Sequence, residues 1–128
     1  MRELRFRRFW SLAGLALVLG TLVVCLTPAT GAQPVFRGVD KLEHAAAYFV
    51  LTSWFAALMQ RRHYGWVVVA MLLLGLSIEV AQQLMGLGRV ADWRDMLANG
   101  TGVAAGLIFA LASRESWFAR IERWLAPA

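Results

Sequence analysis

Four apolar segments, each of membrane-spanning length, take up most of this 128-residue chain. They run over about 9–26, 42–59, 66–84 and 96–112, and a helix crosses the hydrocarbon of a bilayer with about 17–25 residues. Hydrophobic residues make up 59% of the chain and charged residues 16%, whereas soluble proteins have about 45–50% and about 25%. The sequence therefore predicts an all-α, polytopic membrane protein and excludes an ordinary soluble domain.

The C-terminal stretch at about 115–125 has a different pattern, in which aromatic and aliphatic residues recur at helical spacing with charged residues between them. Such an amphipathic helix lies in the membrane interface; a soluble partner helix is the alternative. The predicted fold is a four-helix transmembrane bundle plus this short interfacial helix, forming a single domain over residues 1–128.

The first apolar segment has two interpretations. It follows an arginine-rich start and precedes small residues, as a cleaved signal peptide does, but its apolar stretch is longer than the about 7–15 residues of such signals. A retained helix is therefore favoured, and cleavage stays open. Cys25, the single cysteine, has no intrachain partner for a disulfide.

The basic residues predict the orientation. Alternate assignment of the connections puts nine of the 13 Lys and Arg residues on one side and four on the other. By the positive-inside rule, both termini are cytoplasmic. The net charge of +5 thus reflects membrane topology, and no nucleic-acid partner is predicted.

Glu79 is the one charged residue of the third apolar segment. Insertion of an acidic residue at the centre of a membrane helix costs about 2.5–3.5 kcal/mol, so such residues face a protein interior or a wet cavity. Glu79 is therefore a candidate site residue. The alternative is a plain hydrogen bond to a neighbouring helix.

Two other segments begin with polar stripes. On the second, Asp40, Lys41, His44 and Tyr48 recur at helical spacing, and Asp40 is also a candidate N-cap. On the fourth, one stripe of 3.5-residue spacing contains Asp92, Asp95, Asn99, Gly102 and Gly106. Its Gly-xxx-Gly end predicts close packing against another helix.

These polar residues share one depth, because the second and fourth segments start, and the third ends, at the predicted outer face. The sequence therefore predicts one outward-facing pocket. Its predicted ligand-binding residues are Asp40, Lys41, His44, Tyr48, Glu79, Gln82, Arg89, Asp92, Asp95 and Asn99.

The pocket residues allow acid–base chemistry, for which Glu79, His44 and Asp95 are the catalytic candidates. Carboxylates from Asp92, Asp95 and Glu79, with His44, are also conceivable ligands of a hard divalent metal. Their spacing matches no standard metal motif. Neither a metal nor a cofactor is predicted.

The same residues form an ordered pattern: Asp40-Lys41-xx-His44-xxx-Tyr48, Glu79-xx-Gln82, and Arg89-xx-Asp92-xx-Asp95-xxx-Asn99-xx-Gly102-xxx-Gly106. Over about residues 38–110 this pattern resembles the VanZ-like family of small bacterial membrane proteins. The founding members are associated with resistance to the glycopeptide teicoplanin. The resemblance thus implies a multi-pass protein of the bacterial cytoplasmic membrane with a cell-envelope role, and it implies no defined reaction.

Three functions fit these observations. The favoured one is binding or modification of a membrane lipid or lipid-linked cell-wall precursor, with Arg89 and Lys41 at an anionic headgroup. The alternatives are a polytopic membrane enzyme and a proton-linked transporter with Glu79 as the relay. A transporter of four helices would need to form a homo-oligomer for alternating access.

The topology is testable by cysteine labelling. In a background with Cys25 replaced, Gly31→Cys and Gly88→Cys should react with a membrane-impermeant maleimide from the outside, because both loops are predicted to face outward. Labelling of either position only from the cytoplasmic side would contradict the predicted orientation.

Overall fold

The computed structural model describes residues 3–27, 39–85, 93–113 and 115–125, which contain five α-helices and no strand. The helices are α1 (Arg7–Leu26), α2 (Val39–Leu58), α3 (Tyr64–Met85), α4 (Trp93–Ala112) and α5 (Trp117–Leu125), with a 3₁₀ turn at Arg61–His63. The predicted all-α fold is confirmed. Helix ends differ from the predicted ones by at most three residues.

Three stretches of the described helices are long and apolar enough to cross a membrane: Arg7–Leu26, Arg61–Met85 and Trp93–Ala112. α2 has the length of α1 and α4 but is not among them, because Asp40, Lys41 and Glu43 lie in its first two turns. Length and composition thus identify three spans in the described part of the chain, one fewer than the sequence predicts.

α2 packs against all four of the other described helices and most extensively against α4. Two glycines allow this approach. A Cβ atom on Gly102 would overlap the carbonyl oxygen of Ala45, and one on Gly106 would lie 2.8 Å from that of Phe49. The predicted packing role of the Gly-xxx-Gly stripe is confirmed, and it follows the membrane rule that small residues let helix backbones meet.

The buried core lies where α2, α3 and α4 meet. Tyr48, Leu51, Val67, Met71 and Val103 form its largest cluster, and none of them is more than 6% exposed. α1 is peripheral: Gly14 is its one buried residue. Its other face leaves large apolar side chains exposed, as expected of a helix that meets lipid.

At the other end of the bundle, away from the starts of α2 and α4, polar side chains form hydrogen bonds mainly with backbone groups. The Glu122 carboxylate of α5 accepts hydrogen bonds from the backbone N–H groups of Arg5 (2.8 Å) and Phe6 (2.9 Å) and from the Trp10 indole (2.8 Å). The Arg61 guanidinium donates to the carbonyl oxygens of Leu111 and Ser113, which flank the last residue of α4. These contacts satisfy groups that helix termini leave unpaired.

Hydrogen bonding also sets the direction in which the pKa of the Glu122 carboxyl shifts. Desolvation by burial raises the pKa of this carboxyl, but the three donors from Phe6, Trp10 and Arg5 together outweigh it and lower the pKa below its usual value. A carboxyl whose pKa is lowered on folding stabilises the fold above its unfolded pKa, and that contribution is lost as the pH falls through the folded pKa. The contact is therefore in place at neutral pH.

α5 is the amphipathic helix that the sequence predicts. Phe118 is fully buried and stacks on Trp10 at a centroid distance of 4.4 Å, whereas Trp124 is 88% exposed. The buried Ser116 hydroxyl donates to the Ala57 carbonyl oxygen at 2.8 Å. One end of α5 is thus part of the core, and the other presents apolar surface.

The contact of α2 with α4 gives a direct test. Gly102→Ala should lower the free energy of unfolding by about 1–3 kcal/mol, as overpacking does, because the new methyl group meets the Ala45 carbonyl. Gly100→Ala is the matched control: its Cβ meets no atom within 4 Å, so it should be neutral or stabilising by up to about 1 kcal/mol. Thermal unfolding in detergent measures both. Equal stabilities of the two variants would contradict the close contact.

Candidate functional site

Side chains from three helices converge where α2 and α4 begin and α3 ends. One ligand atom each of His44 (α2), Glu79 (α3) and Asp95 (α4) lies within 4.8 Å of the other two. Glu79 is only 4% exposed. The structure therefore brings together the three residues that the sequence marks as catalytic candidates, and it turns Glu79 towards protein.

A second layer lies one helical turn deeper, about 6 Å along each helix axis. It contains Tyr48 of α2, Gly75 of α3 and Asn99 of α4. A Cβ atom on Gly75 would lie 3.0 Å from Asn99 Nδ2 and 3.2 Å from Tyr48 Oη. Glycine at position 75 therefore leaves the room in which these two polar groups approach α3.

The two layers are joined by a hydrogen bond between His44 Nδ1 and Asn99 Oδ1, at 3.0 Å. A carbonyl oxygen only accepts, so His44 Nδ1 carries a proton, and Nε2 is the ring nitrogen left for another contact. His44 is thereby oriented by a buried amide, since Asn99 is 1% exposed.

Lys41 lies beside the site and pairs with two carboxylates. Its ammonium group lies 2.7 Å from Asp95 Oδ1 and 3.0 Å from Asp40 Oδ2. Asp40 lies inside the first turn of α2, which begins at Val39, so its predicted place at the N-cap is wrong; the helix starts earlier than its apolar run.

Gln82 is buried near the site, but its recorded hydrogen bond is to the backbone of α1 and not to another site residue. Its side-chain Nε2 donates to the carbonyl oxygen of Cys25 at 2.8 Å, close to the end of α1. This hydrogen bond ties α1 to α3. The predicted site residues Arg89 and Asp92 lie outside the described residues.

An apolar groove leads to Glu79 from the side of the bundle. It has a volume of about 330 Å³ and lies between α3 and α4. Its lining residues are Leu76, Glu79, Val80, Gln83, Leu84, Trp93 and Met96. The sequence pattern did not indicate this groove, because apolar residues at helical spacing on α3 also suit plain contact with lipid.

The described site supports three kinds of chemistry. Glu79, Asp95 and His44 supply two carboxylates and an imidazole for proton transfer or cation binding. Lys41 supplies a positive charge for an anionic group. The groove supplies an apolar surface that reaches the same carboxylate.

A helical bundle with three apolar spans and a buried polar site among its helix ends defines the class of the chain: a small polytopic membrane protein. The family model of VanZ/LLP1 matches residues 6–114, which include α1 to α4 and every described site residue. The chain therefore belongs to the VanZ/LLP1 family, as its polar pattern predicts. No curated protein and no solved structure matches it.

The contact of His44 with Asn99 can be measured by a double-mutant cycle. His44→Ala and Asn99→Ala should show a coupling of about 0.5–1.5 kcal/mol in unfolding free energy, the usual contribution of such a hydrogen bond. Unfolding in detergent with EDTA present provides the four stabilities.

The matched control pairs His44→Ala with Thr101→Ala. Thr101 is exposed and its hydroxyl bonds the Leu97 carbonyl of its own helix, so these two changes should add to within about 0.5 kcal/mol. A cycle of His44 with Asn99 that is equally additive would show that the two side chains do not interact.

Proposed function

We propose that the protein binds a lipid-linked ligand of the cell envelope, with its anionic headgroup at the polar site and its hydrocarbon chain in the lateral groove. One observation carries this proposal: Glu79 belongs both to the polar cluster and to the lining of the groove. An amphiphile is the class of molecule that fits a surface on which an apolar channel ends at charged groups.

The groove supports a hydrocarbon occupant by its size and lining. Its about 330 Å³ lies within the about 300–1,000 Å³ of small-molecule pockets. It lies between α3 and α4, two of the apolar spans, and exposed Leu76, Val80 and Leu84 border it. A lipid chain could thus enter sideways from the bilayer without crossing water.

The headgroup side is supported by charge. Lys41 is part-exposed beside Asp95, so its ammonium can also reach a phosphate or carboxylate from outside. We further propose that Arg89 and Asp92, which precede α4 in the sequence, contribute to this side. Arginine pairs with such groups in a bidentate manner, which would add specificity.

The arrangement also supports a four-span topology. The pairs Lys41–Asp95, His44–Asn99 and Gly102–Ala45 require α2 and α4 to run parallel. α1 and α3 run the other way, since Trp54 meets Trp10 and Gln82 meets Cys25. With 20 residues, α2 is about 30 Å long, the thickness of the hydrocarbon core.

We place both termini in the cytoplasm of a bacterium and the site at the outer leaflet, on the nine-to-four split of Lys and Arg residues. The site would then face the envelope side of the membrane. There a bound precursor could be shielded or altered, and reduced glycopeptide binding is one consequence to examine. Modification by an enzyme and proton-linked transport are the alternatives that use the same carboxylate.

The groove is tested by filling it. Leu76→Trp should weaken binding of a polyprenyl phosphate at least tenfold, because the indole takes the space of the chain. Leu73→Trp is the matched control: Leu73 is similarly exposed on α3 but does not line the groove, so binding should stay unchanged. Native mass spectrometry of the protein in detergent measures the bound lipid.

Two further arms interpret the result. If the headgroup contacts the charge of Lys41, Lys41→Met should weaken the binding of a polyprenyl phosphate. The binding of the matching polyprenol should stay unchanged. Glu79→Gln should leave a shielding function intact and abolish either an enzymatic step or proton relay. Equal binding by Leu76→Trp and Leu73→Trp would contradict the proposed ligand position.

A further inference from the structure

We propose that His44, Glu79 and Asp95 form a binding site for a divalent transition-metal cation such as Zn²⁺ or Mn²⁺. The site takes one ligand from each of three helices, and it would leave an open coordination position towards the groove. This inference concerns the cation alone. It holds or fails independently of the lipid-linked ligand.

The donor geometry is close to what such a cation needs. Zn²⁺ binds His nitrogen and carboxylate oxygen at about 2.0–2.2 Å, so donors in a tetrahedral site lie roughly 3.4 Å apart. One donor atom of each residue is already within 4.8 Å of the other two. Small side-chain rotations on facing helices would close the remaining gap.

The surroundings of His44 resemble those of a metal ligand. A ligating histidine commonly donates its second ring N–H to a carbonyl or carboxylate, which fixes its tautomer. Asn99 Oδ1 accepts from His44 Nδ1 at 3.0 Å, leaving the Nε2 lone pair for a cation. This hydrogen bond orients the histidine ring, which distinguishes the site from a simple cluster of acidic residues.

A second observation points to a ligand next to these three residues. Tyr48 Oη and Asn99 Nδ2 belong to side chains that are 1% exposed, and neither atom has a hydrogen-bond partner among the described residues. Both lie against α3 at Gly75, one turn from Glu79. Buried polar atoms are rarely left unpaired, and a water molecule on the cation would give them a partner.

Charge favours a cation over three bare side chains. Two carboxylates meet in a poorly solvated place, where Lys41 offsets one of them. Two negative charges at this short separation repel each other. A divalent cation removes that repulsion, and the imidazole favours a transition metal over Mg²⁺ or Ca²⁺, which select oxygen ligands.

The experiment uses the full chain, freed of any affinity tag, purified in detergent without added lipid, stripped with EDTA and titrated with ZnCl₂. After gel filtration, elemental mass spectrometry of the protein should find about one Zn²⁺ per chain. Substitution of Co²⁺ should produce the visible d–d bands of a site with nitrogen and oxygen ligands.

Variants locate the site. The affinity for Zn²⁺ should fall at least tenfold in each of the ligand variants His44→Ala, Glu79→Gln and Asp95→Asn. In Asn99→Ala it should fall about 10–100-fold, because a hydrogen bond that supports a ligand is lost. His63→Ala and Glu43→Gln are the matched controls, because they change the second histidine and an exposed acidic neighbour. Both should bind as the wild type does.

Three outcomes would overturn the proposal: wild-type protein that binds well under one Zn²⁺ per chain and shows no Co²⁺ bands, site variants that bind like the controls, or controls that lose the metal like the site variants. Circular dichroism and the gel-filtration profile show which variants are folded. If a variant fails to fold, the wild-type stoichiometry and spectrum still decide.

Discussion

The close approach of α2 to α4 determines most of this structure. Gly102 and Gly106 lack the Cβ atoms that would strike the carbonyl oxygens of Ala45 and Phe49. In a membrane, helices gain little from hydrophobic burial against each other, so backbone proximity and interhelical hydrogen bonds hold them together. Because the two helices run parallel at this short distance, the polar first turns of α2 necessarily lie beside those of α4. The site is thus a consequence of packing further down the same pair of helices.

The two ends of the bundle use polar side chains differently. At the end carrying α5, most contacts of Glu122, Arg61 and Ser116 satisfy backbone N–H and carbonyl groups, so their hydrogen-bonding capacity serves mainly the fold. At the other end, His44 and Asp95 contact other side chains, from Asn99 and Lys41. Such contacts can be exchanged for contacts with a ligand without unravelling a helix terminus. This asymmetry is the physical reason to look for function at one end.

The fold was largely predictable, because helix length and apolar spacing are local properties. The grouping of His44, Glu79 and Asp95 was predictable too, since shared depth and stripe direction follow from helix geometry. Gly75 was missed: its importance arises from Asn99 and Tyr48 on two other helices, which no local pattern reveals. The groove was missed for a similar reason, as a lipid-facing residue and a groove-lining residue obey the same apolar rule. The start of α2 was misjudged because its first turn is polar yet helical.

A buried carboxylate and an apolar groove lie side by side in this bundle. A charged residue in a membrane helix needs partners within the protein, and the three-helix junction supplies them for Glu79. Beside this junction, a groove lined mostly by apolar side chains lies between α3 and α4. The space opens towards the surface where lipid chains would lie against α3. In the proposed function, the buried Glu79 belongs to the polar site, and the groove beside it is the path by which an amphiphile would reach that site from the membrane.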